Sequence, residues 1–219
     1  MNGVLFDFGN TLFAHAPLAI TIDNAARRLG FAIGQDDTVA TAHRIDAAAM
    51  TSAELAYPRD LDSDVWKKRW QVLYSIADEW GEGMGTAIDA NMRDPREWIP
   101  YPRAVATLRS LHDNGAAIGI VSNTGWDVRE VFAEHGLLDT ITSFTLSYEV
   151  GFVKPDPEIF EAACKALGLE PEHVVMVGDD PRADSGAVRV GIRTLLLPAL
   201  PSDVDNGVSS VLRLTDLDD

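Results

Sequence analysis

Short apolar segments bounded by turn residues recur along the chain, and this pattern most strongly limits the folds that it can adopt. They lie at 3–8, 117–122, 143–147, 174–177 and 193–197. Runs of this length are typical of strands buried on both faces of a parallel sheet. Between these runs lie amphipathic stretches of helical length, at 102–114, 126–135, 157–167 and 181–190. This alternation predicts an α/β fold with a doubly wound parallel sheet.

One long segment, 15–99, interrupts the alternation and is rich in Ala, Asp and Arg. Helical patterning recurs inside it at 18–29, 37–50 and 62–80. We therefore predict an all-helical inserted domain at 15–99, called the cap below, and a core domain formed by 1–14 and 100–219. Its predicted hinges are the turn after Phe13 and the stretch 100–102, where two prolines fix the path of the chain. After Pro198 we expect a loop and a final short strand or helix.

The charge balance limits the partners of this protein. Lys and Arg total 18 against 34 Asp and Glu, which gives a net charge of −16 and argues against a broad nucleic-acid or membrane-binding surface. Cys164 is the only cysteine, so no intrachain disulfide or cysteine-rich zinc site can form, and we expect it to pack inside a helix interface. No apolar run reaches the ~18 residues of a membrane span, and no secretion signal is evident. We expect a cytoplasmic monomer or homodimer.

Polar residues follow the ends of four predicted strands, the edge at which an open α/β sheet binds ligands. Asp7 follows the first strand in VLFDFGNTL, and Ser122 with Asn123 follows the second in IVSNT. The third segment, GFVKPDP, contains Lys154, and the fourth, VGDDPRAD, contains several carboxylates. Each segment alone is typical of a helix cap or a turn. Four such segments in one chain indicate a ligand-binding site at this edge of the sheet.

In this order and spacing, the four segments resemble the four sequence motifs of the haloacid dehalogenase-like superfamily over nearly the whole chain. The resemblance implies a phosphatase-type hydrolase with a helical cap, acting on a small phosphorylated metabolite. Asp7 would be the nucleophile and form an aspartyl-phosphate. Lys154 and Ser122 would stabilise the transferring group, and Asn123 would help to bind the substrate.

The resemblance also implies a Mg²⁺ site. This ion prefers octahedral oxygen ligands from one or two carboxylates, phosphate and water. The expected ligands are Asp7, the main-chain carbonyl of Gly9, Asp179 and Asp180. Thr11 and Asp184 are expected to support this set from outside, Asp184 by orienting Lys154 or a metal-bound water.

Gly9 departs from the family pattern. Phosphatases of this family typically carry a second aspartate two residues after the nucleophile, and it acts as general acid and base. The glycine carbonyl remains available to a metal, but positioned proton transfer, which contributes about 10²–10⁴-fold, is lost. Alkyl phosphates should therefore react slowly unless another group substitutes. We expect His15, at the entry to the cap, to be that group, with His43 and Asp46 as further candidates.

Other interpretations stay open. One is that the substrate has a good leaving group, as an acyl phosphate does, and therefore needs little protonation. Another is that the protein binds a phosphorylated ligand or a protein partner without turnover. Dehalogenases also lack the second aspartate, but they usually carry an aromatic residue there and need no metal. Phosphonate-cleaving relatives use a cap lysine. Lys67 and Lys68, the only cap lysines, adjoin Arg69 and are typical of a solvated basic patch.

Overall fold

A five-stranded parallel sheet forms the centre of the computed structural model, which describes residues 3–214. Its strands, numbered in chain order, are β1 (Gly3–Phe6), β4 (Ala117–Ser122), β5 (Ser143–Leu146), β6 (Val174–Gly178) and β7 (Arg193–Leu196). They are arranged in the order β5-β4-β1-β6-β7. The three central strands are almost entirely buried, which is why they appear in the sequence as continuous apolar runs. The predicted α/β class is confirmed.

Helices cover both faces of this sheet. They are α6 (Ala104–Asp113), α7 (Arg129–Glu134), α8 (Ser147–Val150) and α9 (Pro157–Leu167). Successive side chains of β1 enter different clusters, because a strand alternates its side chains between two faces. Val4 and Phe6 pack with residues of α6 and α7, whereas Leu5 packs with residues of α9. The sheet is therefore doubly wound, as predicted.

The cap is a second helical layer with its own core. It contains α1 (Leu18–Leu29), α2 (Gln35–Ala49), α3 (Ser52–Leu55), α4 (Ser63–Tyr74) and α5 (Met84–Met92). Ile22, Ile45 and Ile88 are fully buried between these helices. A short antiparallel pair, β2 (Phe13–His15) and β3 (Trp98–Pro100), joins the cap to the core. The inserted helical domain is confirmed, whereas its limits at 15–99 and its hinges stay predictions.

Local sequence explains several of the helix ends. Asp62 caps α4 by accepting the Val65 N–H at 2.9 Å, and Gly30 ends α1 with a φ of 81° that favours glycine. The predicted helix at 62–80 changes to a 3-10 helix at Ser75–Trp80, and α5 was not predicted. The predicted helix at 181–190 is a shorter 3-10 helix, Asp184–Val190.

The remaining predictions on the fold concern the last segment and Cys164. The segment after Pro198 is a loop that ends in a 3-10 helix, Val208–Arg213, and its last five residues lie outside the described part of the chain. Cys164 is buried on α9, as predicted. Among residues 3–214, no helix combines the length and apolarity that a bilayer crossing requires.

The cap contacts the core beside the ends of β4 and β5. A Cβ atom added to Gly125 would lie 2.2 Å from the Cβ atom of Trp66 on α4, so these two residues are in tight contact. Nearby, the Ser147 hydroxyl donates a hydrogen bond to the carbonyl oxygen of Asp60 in the cap. Together these contacts fix the cap above the edge of the sheet where the four polar segments end.

We expect Gly125→Ala to disturb the docking of the cap, because the new methyl group would overlap Trp66. Overpacking of this kind costs about 1–3 kcal/mol in the free energy of unfolding. Urea unfolding followed by tryptophan fluorescence would measure it. Gly34→Ala is the matched control, since the nearest atom to its new Cβ is the movable end of the Asp37 side chain at 3.2 Å. Equal stabilities of the two variants would contradict the tight contact.

Candidate functional site

A buried lysine joins two carboxylates at the carboxyl edge of the sheet. The Lys154 ammonium donates to Oδ1 of Asp7 and to Oδ1 of Asp184, each at 2.7 Å. Asp7 directly follows β1, and its N–H donates to the Val177 carbonyl of β6 at 2.9 Å. Lys154 is 5% exposed and Asp184 is fully buried. The pairing of β1 with β6 therefore fixes the main chain at Asp7, and the lysine fixes its side chain.

Burial and neighbouring charges shift the pKa values of this group. Burial raises the pKa of Asp7 to about 6, the Lys154 ammonium opposes the rise, and the carboxylates of Asp184 and Asp179 add to it. Burial alone would lower the pKa of Lys154, but Asp7 and Asp184 outweigh this effect and raise it. The lysine is therefore a permanent cation among several carboxylates. Negative charge is in excess, and a further cation would lower the pKa of Asp7.

Three carboxylates form a cluster that fits a metal ion. Oxygen atoms of Asp7, Asp179 and Asp184 lie within 4.8 Å of one another. Both oxygens of Asp184 are already engaged, one by Lys154 and the other by the N–H of Asp180 at 2.9 Å. Asp7 accepts Lys154 through its Oδ1, Asp179 accepts Thr11 through its Oδ1, and the two carboxyl groups lie close enough to each other to share a proton or a cation. The oxygen-only donor set suits a hard divalent cation.

The predicted supporting residues lie around this cluster. Thr11 is fully buried and donates its hydroxyl to Oδ1 of Asp179 at 3.0 Å, which fixes that carboxylate. Asp184 accepts a hydrogen bond from Lys154 at 2.7 Å, and its supporting role in the reaction stays a prediction. Asp180 is exposed, and its Oδ1 accepts the N–H of Arg182 at 2.8 Å. The part of Asp180 and of Gly9 in metal binding stays a prediction.

A cavity of about 380 Å³ opens over Asp7. The core supplies most of its walls, and the segment 15–99 supplies Asp60 and Trp98, of which Trp98 lies on β3. Its lining comprises Asp7, Phe8, Gly9, Asp60, Trp98, Ser122, Asn123, Thr124, Trp126, Lys154, Asp180 and Ala183. The lining combines aromatic side chains with charged and polar ones, which suits a small ligand with an anionic group.

Ser122 and Asn123 both line this cavity, but their side chains differ in what they can offer a ligand. The Ser122 hydroxyl makes no hydrogen bond within the described residues, so it is free to donate. The Asn123 side chain is engaged with the main chain of Lys154, donating to its carbonyl at 2.9 Å and accepting its N–H at 2.7 Å. Asn123 therefore positions the lysine.

The three residues suggested to replace the missing acid and base lie elsewhere. The ring nitrogens of His15 lie 3.0 Å from the Ala16 carbonyl and 3.3 Å from the Asn91 carbonyl. His15 lines a different cavity, beside Tyr101, and is absent from the lining over Asp7. His43 and Asp46 are exposed on α2. The structure thus brings none of the three to Asp7.

Sequence reasoning missed Asp60, Trp98 and Trp126. Asp60 lies in a polar stretch between two cap helices, and the tryptophans follow no motif. The sequence analysis also did not explain why residue 178 is a glycine. An added Cβ atom there would lie 2.0 Å from Oδ2 of Asp184, so no larger residue fits. The glycine of VGDD was the one available signal, because a glycine at a strand end often marks close packing.

The sequence of this chain is similar to those of known hydrolases. A sequence model described as "Hydrolase: haloacid dehalogenase-like hydrolase" matches residues 1–191. The phosphoserine phosphatase of Thermus thermophilus is 35% identical over 131 residues, which cover 59% of this chain and 53% of that protein. This chain thus spans about half the length of that phosphoserine phosphatase. The ribulose-1,5-bisphosphate 5-phosphatase of Halopiger xanaduensis is 27% identical, with 98% of each chain covered.

Solved structures share the fold. A dehalogenase superimposes with a TM-score of 0.71 at 20% identity, covering 98% of this chain and 96% of that one. A hydrolase from Bacillus subtilis, bound to magnesium, gives a TM-score of 0.71 at 17% identity, with 97% of each chain covered. Because both identities are low, these matches establish the fold alone.

We expect Lys154→Met to destabilise the protein by about 3–5 kcal/mol at pH 8, since it leaves two buried carboxylates without their cation. The loss should be smaller at pH 5. Without the lysine, the folded-state pKa values of the carboxyls rise above their unfolded values, so the penalty is present at high pH and relieved by protonation as the pH falls. Urea unfolding in chelator at both pH values, with exposed Lys165→Met as the control, would measure the difference. A loss independent of pH would contradict this account.

Proposed function

Because the chain belongs to the haloacid dehalogenase-like hydrolase family, we propose that it is a phosphohydrolase that acts on a small phosphorylated metabolite through an aspartyl-phosphate on Asp7. The observation that carries this proposal is the placement of Asp7. Its carboxylate ends a buried central strand, contacts Lys154 at 2.7 Å and lines a cavity of about 380 Å³. A nucleophile fixed beside a cation suits attack on an anionic phosphoryl group.

The residues around Asp7 have complementary roles in this reaction. The Asp7 oxygen that does not contact Lys154 attacks phosphorus, and the bond from phosphorus to the leaving oxygen breaks. Lys154 neutralises charge beside the transferring group, while Ser122 donates its free hydroxyl to a phosphoryl oxygen. Asn123 and Asp184 hold the lysine in place. Water then hydrolyses the aspartyl-phosphate and restores the Asp7 carboxylate.

We infer that the metal is Mg²⁺. Asp7 and Asp179 would hold it, with the Gly9 carbonyl and Asp180 as further ligands, and Thr11 keeps Asp179 oriented. When bound, the ion supplies positive charge next to the phosphoryl oxygens. The magnesium-bound relative from Bacillus subtilis, which has the same fold, supports this choice.

A second candidate is the binding of a phosphorylated ligand without turnover, and Gly9 is the observation that favours it. The activities of two other branches have less support. A dehalogenase needs no metal, whereas carboxylates of Asp7 and Asp179 cluster here. The phosphonate-cleaving chemistry needs a lysine from the cap, but Lys67 and Lys68 are exposed and do not line the cavity.

We expect Asp7→Asn to lower phosphate release by about 10⁴-fold or more, because an amide cannot replace the carboxylate nucleophile. Phosphate release from acetyl phosphate with Mg²⁺ would measure this, with exposed Asp113→Asn as the control. Wild-type rates in the Asn variant would contradict the mechanism. Protection of the wild type against heat by beryllium fluoride, without phosphate release from any substrate, would favour the binding candidate.

Excess chelator should abolish turnover, and Asp179→Ala should raise the Mg²⁺ concentration that half-maximal activity requires. The reason is that the variant loses one of the two carboxylates that remain free for the ion. A magnesium titration of both proteins measures the shift, and Asp139→Ala, at an exposed carboxylate outside the cavity, is the control. Full phosphate release in chelator would exclude the metal, whereas release of halide from a halogenated substrate in chelator would favour the dehalogenase.

A further inference from the structure

The proposed reaction lacks an assigned proton donor. Breaking the bond between phosphorus and an alkyl oxygen leaves an alkoxide, which needs a proton in the transition state. Gly9 supplies none, and His15 lies outside the cavity. Besides the nucleophile Asp7, two residues with a carboxyl group, Asp180 and Asp60, are among the described residues that line the cavity. Asp180 is exposed and adjoins the carboxylate cluster, where a negative charge attracts the metal.

Asp60 is fixed over the core although it belongs to the cap. It lies in a 3-10 helix, Arg59–Leu61, and its carbonyl oxygen accepts the Ser147 hydroxyl. The same hydroxyl oxygen accepts the N–H of Thr124 at 2.9 Å. Thr124 follows Ser122 and Asn123 directly, so one serine ties Asp60 to the loop that would hold the phosphoryl group.

The carboxyl group of Asp60 is available for chemistry. It makes no hydrogen bond and no ion pair within residues 3–214. The adjacent cation, Arg59, is directed to other partners: its guanidinium donates to the Ala49 carbonyl at 3.2 Å and lies 3.8 Å from Glu54. Burial raises the pKa of Asp60, with Arg59 opposing the rise, so the protonated form is favoured more than for a solvated aspartate.

We propose, on the basis of the phosphohydrolase function, that Asp60 is the general acid and base for substrates with alkyl leaving groups, in place of the carboxyl absent at Gly9. In the first step Asp7 attacks phosphorus, the electron pair of the breaking bond goes to the leaving oxygen, and that oxygen takes the proton of Asp60. In the second step the Asp60 carboxylate takes a proton from water as the water attacks phosphorus. Phosphate leaves Asp7, and protonated Asp60 is restored.

This assignment links catalysis to the position of the cap. The nucleophile and its lysine belong to the core, whereas the proton donor reaches them only when the cap is docked. The contacts of Ser147 with Asp60 and of Gly125 with Trp66 hold that arrangement. Turnover of alkyl esters therefore requires the docked cap, because Asp60 must supply the proton. An acyl phosphate can react without Asp60.

The test compares Asp60→Asn with wild type on two substrates, glycerol 3-phosphate as the alkyl ester and acetyl phosphate as the acyl phosphate, both with Mg²⁺. The substitution keeps the size of the side chain and the carbonyl that Ser147 contacts. We expect kcat/KM to fall about 10²–10⁴-fold for the alkyl ester and less than about 3-fold for acetyl phosphate. Exposed Asp64→Asn, four residues further along the cap, is the matched control and should leave both values unchanged.

A second variant separates proton transfer from structural damage. Gly9→Asp in the Asp60→Asn background should restore alkyl turnover, since it returns a carboxyl to the position that the family pattern occupies. The nearest atom to an added Cβ at Gly9 belongs to Trp98 at 3.9 Å, so a side chain can begin there without a clash. Thermal melting of each variant shows whether the fold is kept.

Each other outcome is decisive. Equal losses on both substrates, or no loss on either, would overturn the role of Asp60 while leaving the phosphohydrolase intact. If the wild-type protein hydrolyses acetyl phosphate but no alkyl phosphate of a wider panel, the role of Asp60 is likewise overturned. Absence of turnover on every substrate would overturn both proposals together.

Discussion

The site depends on one buried interaction, the Lys154 ammonium held between Asp7 and Asp184. A charge in the interior is tolerated only when it is paired, so this lysine requires both carboxylates, and they require it. Asp7 follows β1, Lys154 follows α8, and Asp184 begins the 3-10 helix after β6, and the ion group holds these three segments together. Gly178 makes room for it, because any side chain there would collide with Asp184.

Charge at the site is balanced locally in a strongly acidic protein. The net charge of −16 should repel anions from the surface as a whole. Within the cavity, Lys154 and the free Ser122 hydroxyl oppose that effect, and a cation held by Asp7 and Asp179 would reverse it. In the proposed function, carboxylates that make the protein acidic would also hold the cation that lets the cavity accept a phosphate.

Core and cap divide the chemistry between them. The core fixes the nucleophile and the charges through strand pairing and buried hydrogen bonds, and it resembles both phosphatases and dehalogenases in fold. A shared fold does not select between such reactions, which depend on individual side chains. Under the two proposals made here, the decisive side chains are the carboxylates that would bind the metal, the carboxyl absent at Gly9, and that of Asp60 in the cap.

Sequence alone determined the alternation of strands and helices, the helical insertion, and the residues at the strand ends, because burial of a parallel sheet and its carboxyl edge leave clear local patterns. It identified Asp7, Lys154 and Asp184 by motif. It could not find Asp60, since no pattern marks an aspartate in a polar turn, and it favoured His15 from chain position alone. Only tertiary packing decided which cap residues line the cavity beside Asp7, because the path of a long insertion depends on contacts such as Ser147 with Asp60 and not on local sequence.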